Sequence, residues 1–300
     1  MPRRLQLVVN PSAGGGRAMR LLPAVTETLE RAGHDVVVTQ TRSLAHADEL
    51  AADAVAADRV VVAMGGDGIV GRVAGTVAAY GGLLGVLPGG RGNDFCRAVG
   101  ISRDAVSACG VLTTGTEHRV DLGDAGGTAF VGIASVGFDS DVQGRVLTSR
   151  LRLGQLVYLY GALATLAAWR PATFTCTVDG EPVRMTGWSV AVANSGVYGG
   201  GMRLAPAASI EDGQLDVVTS AHTSRRTFLR ALPRIFKGTH VAMPTVSVRR
   251  ATVVELSADR PFRVFADGDP VASLPCTITI RPGALRLLLP VSAGRPPGRR

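Results

Sequence analysis

The chain has 300 residues and 46% hydrophobic content, enough for a sizeable core and about two domains. Its 38 glycines are spread over many short turns, which excludes a fibrous or low-complexity chain and favours a loop-rich α/β or α+β enzyme. The formal charge is +8, and Lys237 is the only lysine, so nearly all of the positive charge is arginine. Two readings of that arginine stand: a genome-wide codon bias, or affinity for phosphate-rich ligands and anionic membrane surfaces. No basic run is interleaved with aromatic residues, which argues against nucleic acid as a partner. The cysteines Cys96, Cys109, Cys176 and Cys276 stand apart with no C-x-x-C spacing, which suits reduced thiols in a cytoplasm better than a disulfide framework or a zinc site.

From the start, "MPRR" leads straight into the strand-like run "LQLVVN", with no signal-peptide pattern. "DVVVTQ", "RVVVAM" and "LLGVLP" are further short β-rich runs. Between them lie "RAMRLLPAVTETLERAG", "AHADELAADAVAAD" and the segment after Asp67, each with helical spacing. Leu21, Leu22, Val25 and Leu29 form one apolar stripe, and Gly33 is placed to end that helix. Apolar strands alternating with helices predict a doubly wound parallel sheet, with ligands beyond the carboxyl ends of its strands. Three glycine-rich loops fall at those ends: "NPSAGGGR", "MGGDG" and "LPGGRGND".

After about Asp121 the rhythm changes to strand-like runs separated by turns: "TAFVGIASVGFDS", "FTCTVDG", "WSVAVANS", "LDVVTS", "TVSVRRATVVELS", "PFRVFADGD" and "CTITI". With helical stretches only around 141–169 and 224–238, this predicts a mainly antiparallel β-sandwich. The uncharged run Leu153 to Trp169 sits at the lower limit for a membrane span and is read as a buried or membrane-touching helix. The expected domains are 1–121 and 122–283, with 284–300 returning to the first.

The glycine loops exclude several familiar sites. Gly66 to Gly71 spells G-x-G-x-x-G, but it follows the third strand rather than the first, and the place near position 90 where an acid would hold a ribose reads "PGGRG". A P-loop needs G-K-[ST] and a protein kinase needs a strand lysine, and neither is present. "VANSGVYGGG" is not a serine-hydrolase elbow, and the five histidines form no H-E-x-x-H pair. What remains is a phosphate site made of backbone amides. An acid inside such a loop, Asp67, makes sense if Mg²⁺ lies between carboxylate and phosphate. A Gly-Asp-Gly turn chosen for its backbone angles is the simpler alternative.

Together the loops resemble the diacylglycerol kinase catalytic-domain family, which includes bacterial lipid kinases and sphingosine kinases. "NPSAGGGRA" is similar to the family's opening motif, "GGDGIVGRVAG" to its G-G-D-G-T-x-x-E-V-x-N-G signature, and "LPGGRGNDFCRAVGI" to P-x-G-T-x-N-D-F-A-R. "VDLG", "GFDSDV", "ANSGVYGGGMRLAPAASIEDGQLDVV" and "FADGDP" then follow in the family's order. The resemblance implies an ATP-binding N-terminal domain, a β-sandwich domain for the lipid, and an active site in the cleft between them. It implies nucleotide contacts from Asn10, Pro11, Ser12, Ala13 and Gly14, from Gly65, Gly66, Asp67, Gly68 and Ile69, from Arg91 and Asn93, and from Thr41 or, second, Thr39. It implies Mg²⁺ at Asp212, with Ser209 and Gln214 through their carbonyls, while Asp67 and Asp121 join the metal and water network. The D-G-D triplet Asp267, Gly268 and Asp269 matches the family's D-G-E, which makes Asp269 the expected general base. Departures from the pattern are Ile69, Arg72, Gly75, Arg91 and Asp269; Arg72 and Arg91 are expected to add positive charge near the phosphates. The function implied is phosphorylation of diacylglycerol or a related lipid by ATP, by a cytoplasmic protein that touches an anionic membrane, with Arg145, Arg150 and Arg152 beside the headgroups. A homodimer is left open, as are a homologue without kinase activity and a kinase of a soluble hydroxylated metabolite.

Overall fold

The computed structural model describes residues 2–148 and 156–291, and the chain divides into two units. One comprises Met1–Val120 together with the chain from Ala284 on; the other is Asp121–Gly283.

The first unit alternates strands and helices: β1 (Arg4–Val9), α1 (Arg17–Arg31), β2 (Asp35–Gln40), α2 (Leu44–Ala56), β3 (Val60–Gly65), α3 (Asp67–Ala79), β4 (Leu83–Pro88), the short α4 (Asp94–Ala98) and α5 (Ala105–Thr114). The strands are parallel in the order β2-β1-β3-β4. Five consecutive residues of β1, β3 and β4 are buried, as continuous apolar runs covered on both faces require. β2 stands at the edge, with Val37 and Val38 exposed. Val25 and Leu29 of the α1 stripe are fully buried, and Gly33 takes a left-handed φ of 85° just past the helix. Helix α5 is not among those expected from the sequence, because its residues "AVSACGVLTT" carry a glycine and β-branched side chains; Asp104 starts it by accepting the Ser107 N–H at 2.8 Å.

The second unit continues with β5 (Thr116–Ala125), β6 (Thr128–Phe130), β7 (Ile133–Gly137), α6 (Phe138–Thr148), α7 (Leu156–Ala168), β8 (Ala172–Val178), β9 (Glu181–Ala193), β10 (Leu215–Ala221), α8 (Arg225–Lys237), a 3₁₀ turn (Thr239–Ala242), β11 (Val246–Ala251), β12 (Val253–Ala258), β13 (Arg263–Ala266), β14 (Asp269–Ser273) and β15 (Cys276–Leu289). β5 starts and β15 ends in the first unit, where Arg286 and Leu287 pair in parallel with Leu83 and Leu84. Strands β7 to β14 pair antiparallel with their neighbours. The first half of β9 lies against β8, whereas its second half lies between β7 and β10. That change of neighbour lets one strand serve two leaves, which close over Trp188, Phe174, Val190, Leu215 and Ile278.

The run "TVSVRRATVVELS" reads as one strand but forms two. β11 pairs with β10, and β12 pairs with β8 and β15. The break is at Thr252, where the Asp179 carboxylate accepts the Thr252 N–H at 2.9 Å, its hydroxyl at 2.9 Å and the Val253 N–H at 2.8 Å. The helical stretch expected over 141–169 is α6 and α7. Leu153, Gly154 and Gln155 of the uncharged run, and with them Arg150 and Arg152, lie outside the described residues. Among the described residues no helix is long and apolar enough to cross a membrane.

Candidate active site

In the first unit the three glycine loops meet at the carboxyl ends of β1, β3 and β4. The Gly65 carbonyl accepts the N–H of both Gly89 and Gly90 at 2.8 Å. A Cβ on Gly90 would lie 2.5 Å from the Gly66 Cα, and one on Gly14, whose φ is 60°, would lie 2.7 Å from the Gly89 oxygen. Glycine is therefore required for the loops to touch through their backbones. Asn10 at the end of β1 donates its N–H to the Met64 oxygen, and its side-chain oxygen accepts the Ser12 N–H at 3.0 Å and hydroxyl at 2.8 Å. Pro11 to Gly16 then turn into α1, while Ala13 is buried. The N-termini of α1 and α3, capped by Gly16 and Gly66, carry no side-chain cap. Their first-turn N–H groups are the donors that bind anions at helix N-termini.

Other expected residues of this unit divide between backbone and side-chain roles. Ile69 is 4% exposed and packs under Gly65, so its side chain belongs to the core. Asn93 takes a left-handed φ of 50° and is buried; its carboxamide accepts the Gly90 N–H at 2.8 Å and donates to the Gly90 oxygen at 3.1 Å. It holds the loop shape. Thr41 is buried after β2, with its N–H on the Val9 oxygen, and Thr39 accepts from Gln6. Arg91 is exposed, and its guanidinium hangs over the first loop, 3.6 Å from where a Gly15 Cβ would stand. Arg20 donates to the Gly15 oxygen at 3.3 Å, adding a second cation there. Arg72 departs from expectation: it is turned to α2 and paired with Asp48, which also accepts the Thr76 hydroxyl. Its position well inside α3 lets it reach the neighbouring helix.

Asp67 opens α3, and its carboxylate accepts the Phe95 N–H at 2.9 Å. Burial pushes its carboxyl up to about 6 against that hydrogen bond, and the neighbouring Asp94 adds to the rise. The two carboxylates flank Gly92: a Cβ there would lie 3.1 Å from an Asp94 oxygen and 3.2 Å from one of Asp67. Asp94 is buried, with the Arg97 Nε 3.6 Å away. Asp67 at the uncapped N-terminus of α3 and Asp94 beside Gly92 are oxygen donors of the kind Mg²⁺ takes, with waters and phosphate completing its shell.

In the second unit Asp121 is buried, and its oxygens accept the N–H groups of Gly213 and Gly283, both at 2.7 Å. It ties the Ser209–Gln214 turn to the start of the returning chain. Within that turn Ser209 accepts the Glu211 N–H at 3.3 Å, and one Asp212 oxygen accepts the Gln214 N–H at 3.1 Å. The other Asp212 oxygen is paired with Arg250, whose Nε also lies 3.9 Å from Asp216. The expected Mg²⁺ set of Asp212, Ser209 and Gln214 is thus brought together in one turn, with the Arg250 guanidinium beside Asp212.

Asp267 and Gly268, at φ 52° and 94°, form the two-residue turn between β13 and β14. The Asp267 carboxylate accepts the Val131 N–H at 2.9 Å and the Gly132 N–H at 2.8 Å, so it fastens the hairpin to the start of β7. Asp269, the first residue of β14, is half-buried, and burial pushes its carboxyl up. A groove of about 260 Å³ in this unit is lined by Cys176, Val178, Val183, Met185, Val217 and Val246 among others, rather than by α7.

Residues 4–125 match the family model for the diacylglycerol kinase catalytic domain, and residues 132–289 match the YegS C-terminal NAD kinase beta sandwich-like domain. The diacylglycerol kinase of Mycobacterium tuberculosis is 34% identical over 296 residues, covering 96% of this chain and 95% of that one. The chain belongs to the diacylglycerol kinase catalytic-domain family. It is a kinase. The Bacillus subtilis diacylglycerol kinase is 27% identical, covering 91% of this chain and 92% of its own. A crystal structure of a Bacillus anthracis diacylglycerol kinase shares the fold at a TM-score of 0.75, with 19% identity over 97% of this chain and 98% of that one.

Against that family membership, sequence reasoning misses two acids. Asp94 stands inside the loop "LPGGRGND", next to Asn93, and only the fold places it against Asp67. Asp139, in "GFDSDV" at the start of α6, is hydrogen-bonded to Ser189 and pushed up to about 6 by burial.

Proposed function

We propose that this chain is an ATP- and Mg²⁺-dependent lipid kinase that transfers the γ-phosphate to a hydroxyl of diacylglycerol or a related lipid. In this reading the first unit binds ATP and the second takes the lipid at an anionic membrane surface. The observation that carries it is the carboxylate pair Asp67 and Asp94, set among three interlocked glycine loops and two uncapped helix N-termini. Backbone N–H groups of α1 and α3 bind the phosphates, and Arg91 with Arg20 gives charge-assisted contacts from the rim. Asp67 and Asp94 hold Mg²⁺, which when bound neutralises charge on the phosphoryl oxygens. Asp269 accepts the proton of the attacking hydroxyl, a task helped by burial, which makes its carboxylate more basic. Asp121 and Asp267 keep their carboxylates on backbone amides and position the elements around them. In this reading part of an alkyl chain lies along the groove beside Val178 and Val217.

Labelled ATP supplied with an extracted lipid mixture and a pool of soluble hydroxylated metabolites tests this. Label in the organic phase that disappears with a chelator supports the proposal. Label confined to the aqueous phase points to a soluble acceptor, and a protein that binds ATP without labelling anything has lost the kinase step.

A further inference from the structure

We propose that α8 is the element that docks this protein onto an anionic bilayer, a role that rests on the lipid-kinase reading and names the surface at which it works. Helix α8, "RRTFLRALPRIFK", carries Arg225, Arg226, Arg230, Arg234 and Lys237 and no acid in 13 residues, and none of its residues is fully buried. It is nonetheless firmly built. The Ser224 hydroxyl accepts the Thr227 N–H at 3.2 Å, Gly238 ends the helix in a left-handed conformation, and Arg203 donates its N–H to the Ile235 oxygen at 3.0 Å. Its inner face is anchored by Phe228, which stacks on Trp188 at 4.1 Å and meets Phe138 edge-on at 4.9 Å.

The outer face is divided. Leu229 is 43% exposed and Phe236 53%, two helical turns apart with exposed Pro233 between them. At helical spacing Arg226, Arg230, Arg234 and Lys237 form the adjoining stripe. A helix whose only purpose was to cover the core would turn its large apolar side chains inward and mix acids with its bases outside. This one offers two apolar side chains to the surroundings beside an unbroken row of cations, the composition of helices that lie in the plane of an anionic membrane. Arg225 supplies continuity with the neighbouring apolar helix by donating to the Ala167 and Trp169 oxygens, at the end of α7. α7 itself shows Tyr160 and Leu163 more than half exposed. The cations draw the protein to the charged surface, and Leu229 and Phe236 enter the headgroup layer.

Sedimentation of the full chain with phosphatidylcholine vesicles, with and without phosphatidylglycerol, tests the proposal. The wild type should bind only the mixed vesicles appreciably. Each cation near such a surface changes partition by about fivefold, so Arg226→Gln, Arg230→Gln and Arg234→Gln together should weaken binding on the order of 100-fold. Leu229→Ser with Phe236→Ser should weaken it while leaving its salt dependence in place. All five positions are exposed, so melting temperatures should be unchanged, and phosphorylation of a short-chain lipid dispersed as monomers should be retained. Equal binding to both vesicle types, or binding that none of the variants alters, overturns the assignment and leaves α8 a solvated face or a protein contact. If no lipid is phosphorylated by the wild type while the variants still lose the vesicles, the kinase reading fails and the docking assignment stands.

Discussion

Replacing Asp67 by Asn should stabilise the ligand-free protein at pH 8 while removing its Mg²⁺-dependent turnover. The acid opens α3 with Phe95 N–H on one oxygen, yet burial, with Asp94 beside it, lifts its carboxyl from 3.8 to about 6. A rise of roughly two units at about 1.4 kcal/mol each sets an upper limit near 3 kcal/mol. Residual exposure of the side chain lets solvent screen part of this, leaving about 1–2 kcal/mol. The sign follows from which form the fold prefers. Because the folded value lies above the unfolded one, the protonated acid is favoured; that contribution is complete below about pH 4 and is lost as pH rises to 6. Asn accepts the same N–H and carries no charge, so it escapes the loss. Thermal scans at pH 8 without Mg²⁺ or nucleotide should place the variant about 2–8 °C above the wild type, and scans at pH 4 should bring the two together. Adding ATP and Mg²⁺ should reverse the order, because only the wild type gains strongly from binding. An Asn variant that melts at or below the wild type at pH 8 would refute the burial argument, as would a gap of the same size at pH 4.

Three further outcomes are expected. Asp121→Ala leaves the Gly213 and Gly283 N–H groups without their acceptor and should cost about 2–4 kcal/mol in urea denaturation; a loss within experimental scatter would mean that the turn holds itself. Arg91→Ala should raise the KM for ATP about tenfold with melting unchanged, because a charge-assisted contact is lost from an exposed side chain; an unaltered KM removes Arg91 from the nucleotide site. Asp269→Asn should lower turnover by about 10²- to 10⁴-fold with ATP affinity intact, and Asp269→Glu should retain far more; equal turnover for wild type and Asn takes Asp269 out of catalysis.

Much of the fold is legible in the sequence because its signals are periodic. β1, β3 and β4 announce themselves as apolar runs ended by glycine or a polar turn, and α1 by a stripe whose Val25 and Leu29 are fully buried. α5 escapes such reading because its stability comes from packing and the Asp104 cap rather than from propensity. The join at Thr252 escapes it because a change of sheet is a property of the neighbours: "TVSVRRATVVELS" stays β-like throughout, and Asp179, far away in sequence, supplies the acceptor that breaks it. Arg72 is misplaced by sequence for a similar reason. Its partner Asp48 lies on another helix, and no spacing within one segment reveals it.

The acids show where residue type and spacing stop being informative. Asp67, Asp212 and Asp267 all stand beside glycine in turn-like stretches, and each reads as part of a site. The structure gives them different surroundings. Asp267 accepts the Val131 and Gly132 amides, and Asp212 has one oxygen on Arg250. Asp67 and Asp269 are different, because burial raises both and neither faces a compensating arginine among the described residues. Asp139 shares the first mark and, like Asp67, also has a hydrogen bond, in its case with Ser189. A carboxylate held where the fold itself disfavours its charge is explained most simply by a positive charge or a proton that arrives during function. Under the proposed function, that would be a cation shared with Asp94 for Asp67 and the proton of an acceptor hydroxyl for Asp269. Within the proposed site these two acids are set apart by burial that raises their carboxyls despite the bonds Asp67 accepts.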